Sequence, residues 1–373
     1  MKRPMKPLHS SLGCVVLVAA CLSATVAPAP SRASARDVLQ FLPDDSGIVV
    51  PWRGPNTAGP GLAVLDLTTG RPDWVEQVNE VTGAAVSPNG RWLVYQVVDG
   101  ATRSTVLLDL RTKRVRRMPV PIGPPYAWRE DSGRIAGTLL DQDGHLNVVF
   151  FNTREFGETL RVRLPVDSVE PGNMLWLPDT DDVAFLGILQ GKRDVYAVEA
   201  GQVRQFSTTG DVLAVSRGSG KTKLVWARSS KNIRYILLSL YEFDTEQRNV
   251  RRVRFPERVT LINPTPRQAP QRITSVCFAP DMSRLAVVAE YAGKSQGELI
   301  ARVYTMAFDG TGVRMVRVAN RVRKSAYPVL TACFSRDGKQ LVVLHENAIA
   351  SALAVYRSDG ANGRVVARSG AAP

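Results

Sequence analysis

Residues 275–290 read SVCFAPDMSRLAVVAE, and residues 331–346 read TACFSRDGKQLVVLHE. Each runs along an apolar strand, crosses a polar turn and leaves on a second apolar strand, so the two are copies of one pattern. Residues 84–96 (AAVSPNGRWLVYQ) and 39–52 (LQFLPDDSGIVVPW) carry it again. Residues 126–140, 174–188 and 213–227 carry it with more drift. The turn falls at Pro43, Pro88, Glu130, Pro178, Arg217, Pro280 and Arg336, at separations of 45, 42, 48, 39, 63 and 56 residues. A second marker follows each turn, as in LAVLDLTTG (62–70), VYTMAFDG (303–310) and LAVYRSDG (353–360): a third strand ending in a turn. Short stretches such as RVRRM (114–118) and GRVVARS (363–369) then supply a fourth.

One four-stranded sheet cannot bury both of its faces, so the copies must stack on one another. Stacking around an axis leaves only short, protected edges, and a repeat of about 48 residues fits a propeller blade. The expected fold is therefore all-β: a β-propeller of four-stranded antiparallel blades, seven in number, with six as the alternative. It should occupy residues 37–373 as a single domain. The turns are rich in Asp, Asn, Gly and Ser because these residues accept positive φ or bond back to their own backbone.

The Ser87-Pro88-Asn89-Gly90 turn resembles the WD-like repeats of TolB-type propellers, and so do Ala279-Pro280-Asp281 and Ser335-Arg336-Asp337-Gly338. The run Leu-Asp-Leu-Thr-Thr-Gly at 65–70 matches the second half of that repeat. The resemblance covers nearly everything from Val38 onward and implies a fold rather than an activity. TolB proteins themselves carry an α/β domain before six blades. This chain passes almost directly from its leader into the first of seven units, so the likeness is to the repeat family and not to TolB itself.

The N-terminus reads as an export signal. Lys2, Arg3 and Lys6 precede an apolar run at 11–20 (SLGCVVLVAA), too short to span a bilayer as a helix. Val18-Ala19-Ala20-Cys21 resembles a bacterial lipobox, which makes residues 1–20 a lipoprotein signal, Cys21 the lipidation site and 21–36 a tether. The alternative is ordinary cleavage after Ala35, at Ala33-Ser34-Ala35. Either exit places the protein in the cell envelope, lipid-anchored, or free in the periplasm or medium. That compartment permits disulfides. Cys277 and Cys333 nevertheless lie in matching apolar contexts of two repeats and read as buried free thiols.

Composition narrows the function. The chain has 373 residues, with 48 Lys and Arg against 34 acids and a net charge of +14. Arginine supplies 38 of the 48 basic residues, a skew expected of a GC-rich genome. The expected partners are an envelope protein or an anionic polymer or lipid surface, and an exported chain does not meet nucleic acid. A monomer is expected.

Candidate chemistry is sparse. Gly218-Ser219-Gly220-Lys221-Thr222 resembles the end of a phosphate loop, but Val215 stands where the motif needs glycine, and a hairpin turn fits better. Beyond the leader the only histidines are His145 and His345, expected in loops between second and third strands of different blades. Asp179, Asp181 and Asp182 make an acidic turn without a calcium-loop pattern. No metal or cofactor is expected, and no catalytic residue stands out. The six tryptophans (52, 74, 92, 128, 176 and 226) read as blade-packing residues.

The leading expectation is thus a non-enzymatic binding or scaffold propeller of the envelope. The alternative is a hydrolase or lyase with its site at the channel mouth. Loops between strands two and three share a face with the inter-blade connections. Arg53, Arg103, Lys192, Arg193, Lys231 and Lys294, with the inter-blade residues Arg267, Arg272, Arg321, Arg323 and Lys324, make that the candidate binding face.

Overall fold

The computed structural model describes residues 38–52, 61–76, 80–178, 180–217, 223–232, 235–244, 249–252, 272–292, 299–316, 329–346 and 350–370. Every regular element among them is a β-strand. The strands form seven four-stranded antiparallel sheets, and each sheet uses four strands in chain order. The sheets lie at residues 40–76, 80–117, 123–163, 168–205, 212–252, 272–316 and 329–370, and they are numbered first to seventh here. The architecture is an all-β propeller with four-stranded antiparallel blades.

The hairpin between the first two strands of each sheet has one geometry throughout. Its last paired residues are Phe41↔Ile48, Val86↔Leu93, Trp128↔Ile135, Trp176↔Val183, Arg217↔Leu224, Phe278↔Leu285 and Phe334↔Leu341. The partners are always seven positions apart. Four positions past the strand the backbone turns left-handed at Asp45, Gly90, Ser132, Met282 and Gly338, which is why this slot so often holds Gly or a short polar residue. Serine fastens the turn: Ser87 Oγ donates to Asn89 Oδ1 (2.7 Å) and accepts from the Trp92 amide (2.9 Å). Ser335 repeats both contacts with Asp337 and Gln340.

This register corrects one expectation. Arg217 is not a turn residue. It closes the fifth sheet's first strand, Val212–Arg217, at the position that the other sheets give to Phe41, Val86, Trp128, Trp176, Phe278 or Phe334. The strand that follows begins at Lys223, so an antiparallel hairpin takes the place of any phosphate loop. Residues 218–222 themselves lie outside the described residues.

Burial peaks in the middle two strands of each sheet. Second and third strands such as Gly47–Trp52 and Leu146–Asn152 are buried almost throughout, because both of their faces meet neighbouring sheets. Fourth strands such as Val115–Arg117 are exposed. Each apolar cluster joins two adjacent sheets: Trp176 packs with Phe150 of the third sheet, and Val342 and Leu344 of the seventh pack with Ile48 and Leu65 of the first. Trp52, Trp128, Trp176 and Trp226 are buried in such clusters, while Trp74 and Trp92 pack at their edges. Side chains also reach the main chain next door. Gln40 Oε1 accepts from the Val86 amide (3.0 Å), Trp128 Nε1 donates to the Ala85 carbonyl (3.0 Å), and Asn173 Oδ1 accepts from the Val215 amide (3.2 Å).

Candidate functional site

First strands from all seven sheets line one cavity of about 270 Å³. Its wall includes Gln40, Ala84, Tyr126, Asn173, Met174, Ser216, Ser275, Cys277, Thr331 and Cys333, and among the described residues that line it there is no carboxylate, imidazole, amine or guanidinium. Asn173 is engaged through both amide atoms, since its Nδ2 donates to the Pro171 carbonyl (2.8 Å). Thr331 is 4% exposed, and its Oγ1 has no hydrogen-bond partner among the described residues. Cys277 and Cys333 are free and occupy matching positions on neighbouring first strands. Burial pushes both thiols up, Cys333 to about 12, so neither is a thiolate at neutral pH. They act there as small apolar groups, as their sequence contexts suggest.

At the hairpin end the neutral wall gives way to charge. Arg217 follows Ser216 of the wall directly and is half-buried. Burial pushes its guanidinium below the ordinary arginine value, Glu130 opposes that shift, and Arg336 adds to it. Glu130 belongs to the third sheet's hairpin turn and Arg336 to the seventh's. Arg336 is exposed, and its Nη1 donates to the Pro88 carbonyl of the second sheet (2.7 Å). Its amide is fixed by Asp45 Oδ1 of the first sheet (2.9 Å), and the Asp337 amide reaches the other oxygen (3.3 Å).

The structure places few of the expected basic residues. Arg53, Arg267, Lys294, Arg321, Arg323 and Lys324 lie outside the described residues, as does Cys21. Arg103, Lys192 and Arg193 sit at the starts of third strands (Thr102–Asp109 and Lys192–Glu199) rather than in loops. Lys231 belongs to the strand Lys223–Asn232, and Arg272 opens Arg272–Phe278. Arg193 is 3.8 Å from Glu170. Arg103 thus belongs to the second sheet, and Lys192 and Arg193 to the fourth.

The histidines divide. His145 lies in a second-to-third-strand loop, as expected, with Nδ1 2.9 Å from Arg163. His345 does not: the strand Gln340–Glu346 runs through it, and it pairs with Leu330 and Ala352. Burial lowers its pKa, and its Nδ1 is buried without a partner among the described residues. The acidic turn is spoken for. Asp181 pairs with Arg129 (3.1 Å) and Arg134 (3.0 Å), Asp182 accepts from the Ala200 amide (3.2 Å), and Asp179 lies outside the described residues. Among the described residues no three His, Cys, Asp or Glu side chains converge as metal ligands would.

No protein-family model matches the chain, and no curated protein is significantly similar to it. Solved structures are. Oligogalacturonate lyase from Vibrio parahaemolyticus is similar with a TM-score of 0.59 and 10% identity, over 84% of this chain and 86% of that one. The β-propeller domain of the trilobed protease from Pyrococcus furiosus, described as having an open velcro topology, is similar with a TM-score of 0.53 and 11% identity, over 86% and 91%. TolB from Acinetobacter baumannii aligns at 13% identity over 73% of this chain and 61% of that one, with a TM-score of 0.45, too low to argue from. Identities of this order show the fold alone.

Proposed function

We propose that this chain is a non-enzymatic binding or scaffold propeller of the cell envelope, engaging a protein or an anionic ligand. The observation that carries the reading is the neutral channel. General acid–base catalysis needs a group whose pKa lies near the working pH, and among the described residues the channel wall offers only raised thiols and a phenol. The alternative, a hydrolase or lyase acting at the channel mouth, has Glu130 beside Arg217 as its one supporting feature.

All seven sheets close, in this reading, into a single ring. Two observations support it: all seven contribute to one cavity, and the seventh meets the first through a contact used elsewhere. Asp45 holds the seventh sheet's turn just as Ser132 Oγ, at the same hairpin position, holds the Asn89 amide of the second (3.1 Å).

The binding face is tested by retention on an anionic envelope polymer as salt is raised. Reversing Arg321, Arg323 and Lys324 to Glu is expected to lower the eluting salt concentration much more than reversing Arg114, Arg116 and Arg117. The latter three lie on or beside the exposed outer strand Val115–Arg117, where Arg116 stacks on Phe156 at 3.6 Å. Equal losses would reduce the effect to net charge and remove the assigned face.

Envelope location is tested at Cys21. Mass spectrometry of protein from a bacterial host is expected to find a diacylglyceryl group on an N-terminal Cys21, and Cys21→Ser should release the chain from membranes. An unmodified N-terminus at Arg36 would replace lipidation with ordinary cleavage.

A further inference from the structure

We propose that the central cavity binds one small, uncharged, hydroxylated ring of monosaccharide size. The site stands apart from the basic loops, and neither depends on the other.

The first ground is that the cavity wall has two unlike halves. The first strands of the fifth, sixth, seventh and first sheets touch in succession, and each gives the wall a polar residue: Ser216, Ser275, Thr331 and Gln40. None of the four is fully used. The hydroxyls of Ser216, Ser275 and Thr331 have no hydrogen-bond partner among the described residues. Gln40 spends its Oε1 on the Val86 amide, and among the described residues its Nε2 has no acceptor. Polar groups taken from water are normally paired, so leftover donors in a cavity wall point to a partner that enters it. The second, third and fourth sheets supply the other half, with Ala84, Pro125, Pro171 and Met174. The polar side chains there are already spent. Tyr126 Oη donates to the Ile122 carbonyl (3.1 Å), and Asn173 is held through both amide atoms.

The second ground is that the apolar half is built outward. Where they line the cavity, the first strands of the third and fourth sheets leave register. Pro124, Pro125 and Tyr126 stand opposite Gly137 alone, and residues 170–173 stand opposite Leu186 alone. In the second, fifth and sixth sheets a single residue is unopposed: Thr82, Leu213 and Thr274. Of the extra residues, Pro125, Tyr126, Pro171, Gly172 and Asn173 all reach the wall. Bulges re-aim side chains, and proline stiffens the backbone that carries them, so this apolar shelf is formed before any ligand arrives.

The third ground is charge and size. No ionisable side chain other than two raised thiols and a phenol lines the cavity among the described residues, so a charged ligand would leave water without a counter-charge. A volume of about 270 Å³ lies just below the roughly 300–1,000 Å³ of drug-sized sites, which leaves room for one ring and not for a chain of them. A hydroxylated ring carries both surfaces that the wall matches: O–H groups around its edge and C–H groups across its face.

The test is calorimetric titration of the full chain with glucose, galactose and myo-inositol. Glucuronate, galacturonate and maltotriose serve as comparisons. One-to-one saturation by at least one of the three neutral rings is expected, with both uronates at least tenfold weaker than the ring that binds and maltotriose silent. Ser216→Ala and Ser275→Ala together should weaken that ring at least tenfold. They should keep the wild-type melting temperature, because Ala84 and Ala332 already line the cavity from other first strands. A second measurement needs no substitution: the bound ring should slow iodoacetamide labelling of Cys277 and Cys333, which share the wall, at least threefold by peptide mass spectrometry. Saturation by none of the rings, a uronate or maltotriose binding as tightly as they do, unchanged affinity in the double variant, or unslowed labelling would each overturn the site.

Discussion

Replacing Trp176 with alanine is expected to remove about 3–5 kcal/mol of stability, the range for deleting a large buried aromatic side chain. Trp176 is 1% exposed and ends the fourth sheet's first strand. It meets Phe150 edge to face at 5.4 Å, and its indole Nε1 donates to the Thr180 carbonyl (2.9 Å). Alanine therefore leaves a cavity between two sheets and an acceptor without its donor. Trp74→Ala, at the half-buried edge of the first sheet, is the comparison and should cost no more than about a third as much. Urea unfolding followed by the remaining tryptophans measures both. A loss below about 1 kcal/mol for Trp176→Ala would mean that the junction between the third and fourth sheets is not packed as described.

Gly70→Ala carries the second large effect, because the position fails alanine twice. Its φ is +70°, and an added Cβ would stand 2.2 Å from the Val366 carbonyl oxygen, a backbone atom that cannot step aside cheaply. The left-handed conformation alone costs about 1–2 kcal/mol, and overpacking adds roughly 1–3 more. Gly144→Ala separates the two terms, since Gly144 has a φ of +79° and no heavy atom within 4 Å of where a Cβ would stand. Thermal unfolding should place Gly70→Ala at least 1 kcal/mol below Gly144→Ala. Gly70 belongs to the first sheet and Val366 to the seventh, so equal losses would count against the two sheets meeting there.

The strand pattern was legible because each sheet spends its apolar residues in the same order and separates them with residues that tolerate left-handed backbone. Asp45, Gly90 and Gly338 mark the same place in three hairpins, and any one of them anchors an alignment. The fifth hairpin offers no such anchor. Its Gly218-Ser219-Gly220 run allows several registers, and the Arg217–Leu224 pairing that fixes the right one depends on contacts across the sheet. That slip hid the charged mouth, since Arg217 stands out only once it is matched with Phe278 and Phe334. His345 was misplaced for a related reason. A polar residue after an apolar run suggests a loop, but pairing with Leu330 and Ala352 carries the strand past it. The reach of Arg336 to Pro88, 248 positions away, has no local signature at all.

Every sheet is cut from one unbroken stretch of chain, so the seventh meets the first without sharing a strand with it. Six junctions are covalently tethered, and across them a parted pair of sheets remains at high effective concentration. The seventh junction relies on weak contacts: Asp45 with the amides of Arg336 and Asp337, Arg364 Nη2 donating to the Leu67 carbonyl (2.8 Å), and the apolar cluster beneath. Its two halves are linked only through the whole length of the other blades. In the proposed ring this junction is a split, bridged neither by a shared strand nor by a direct linker.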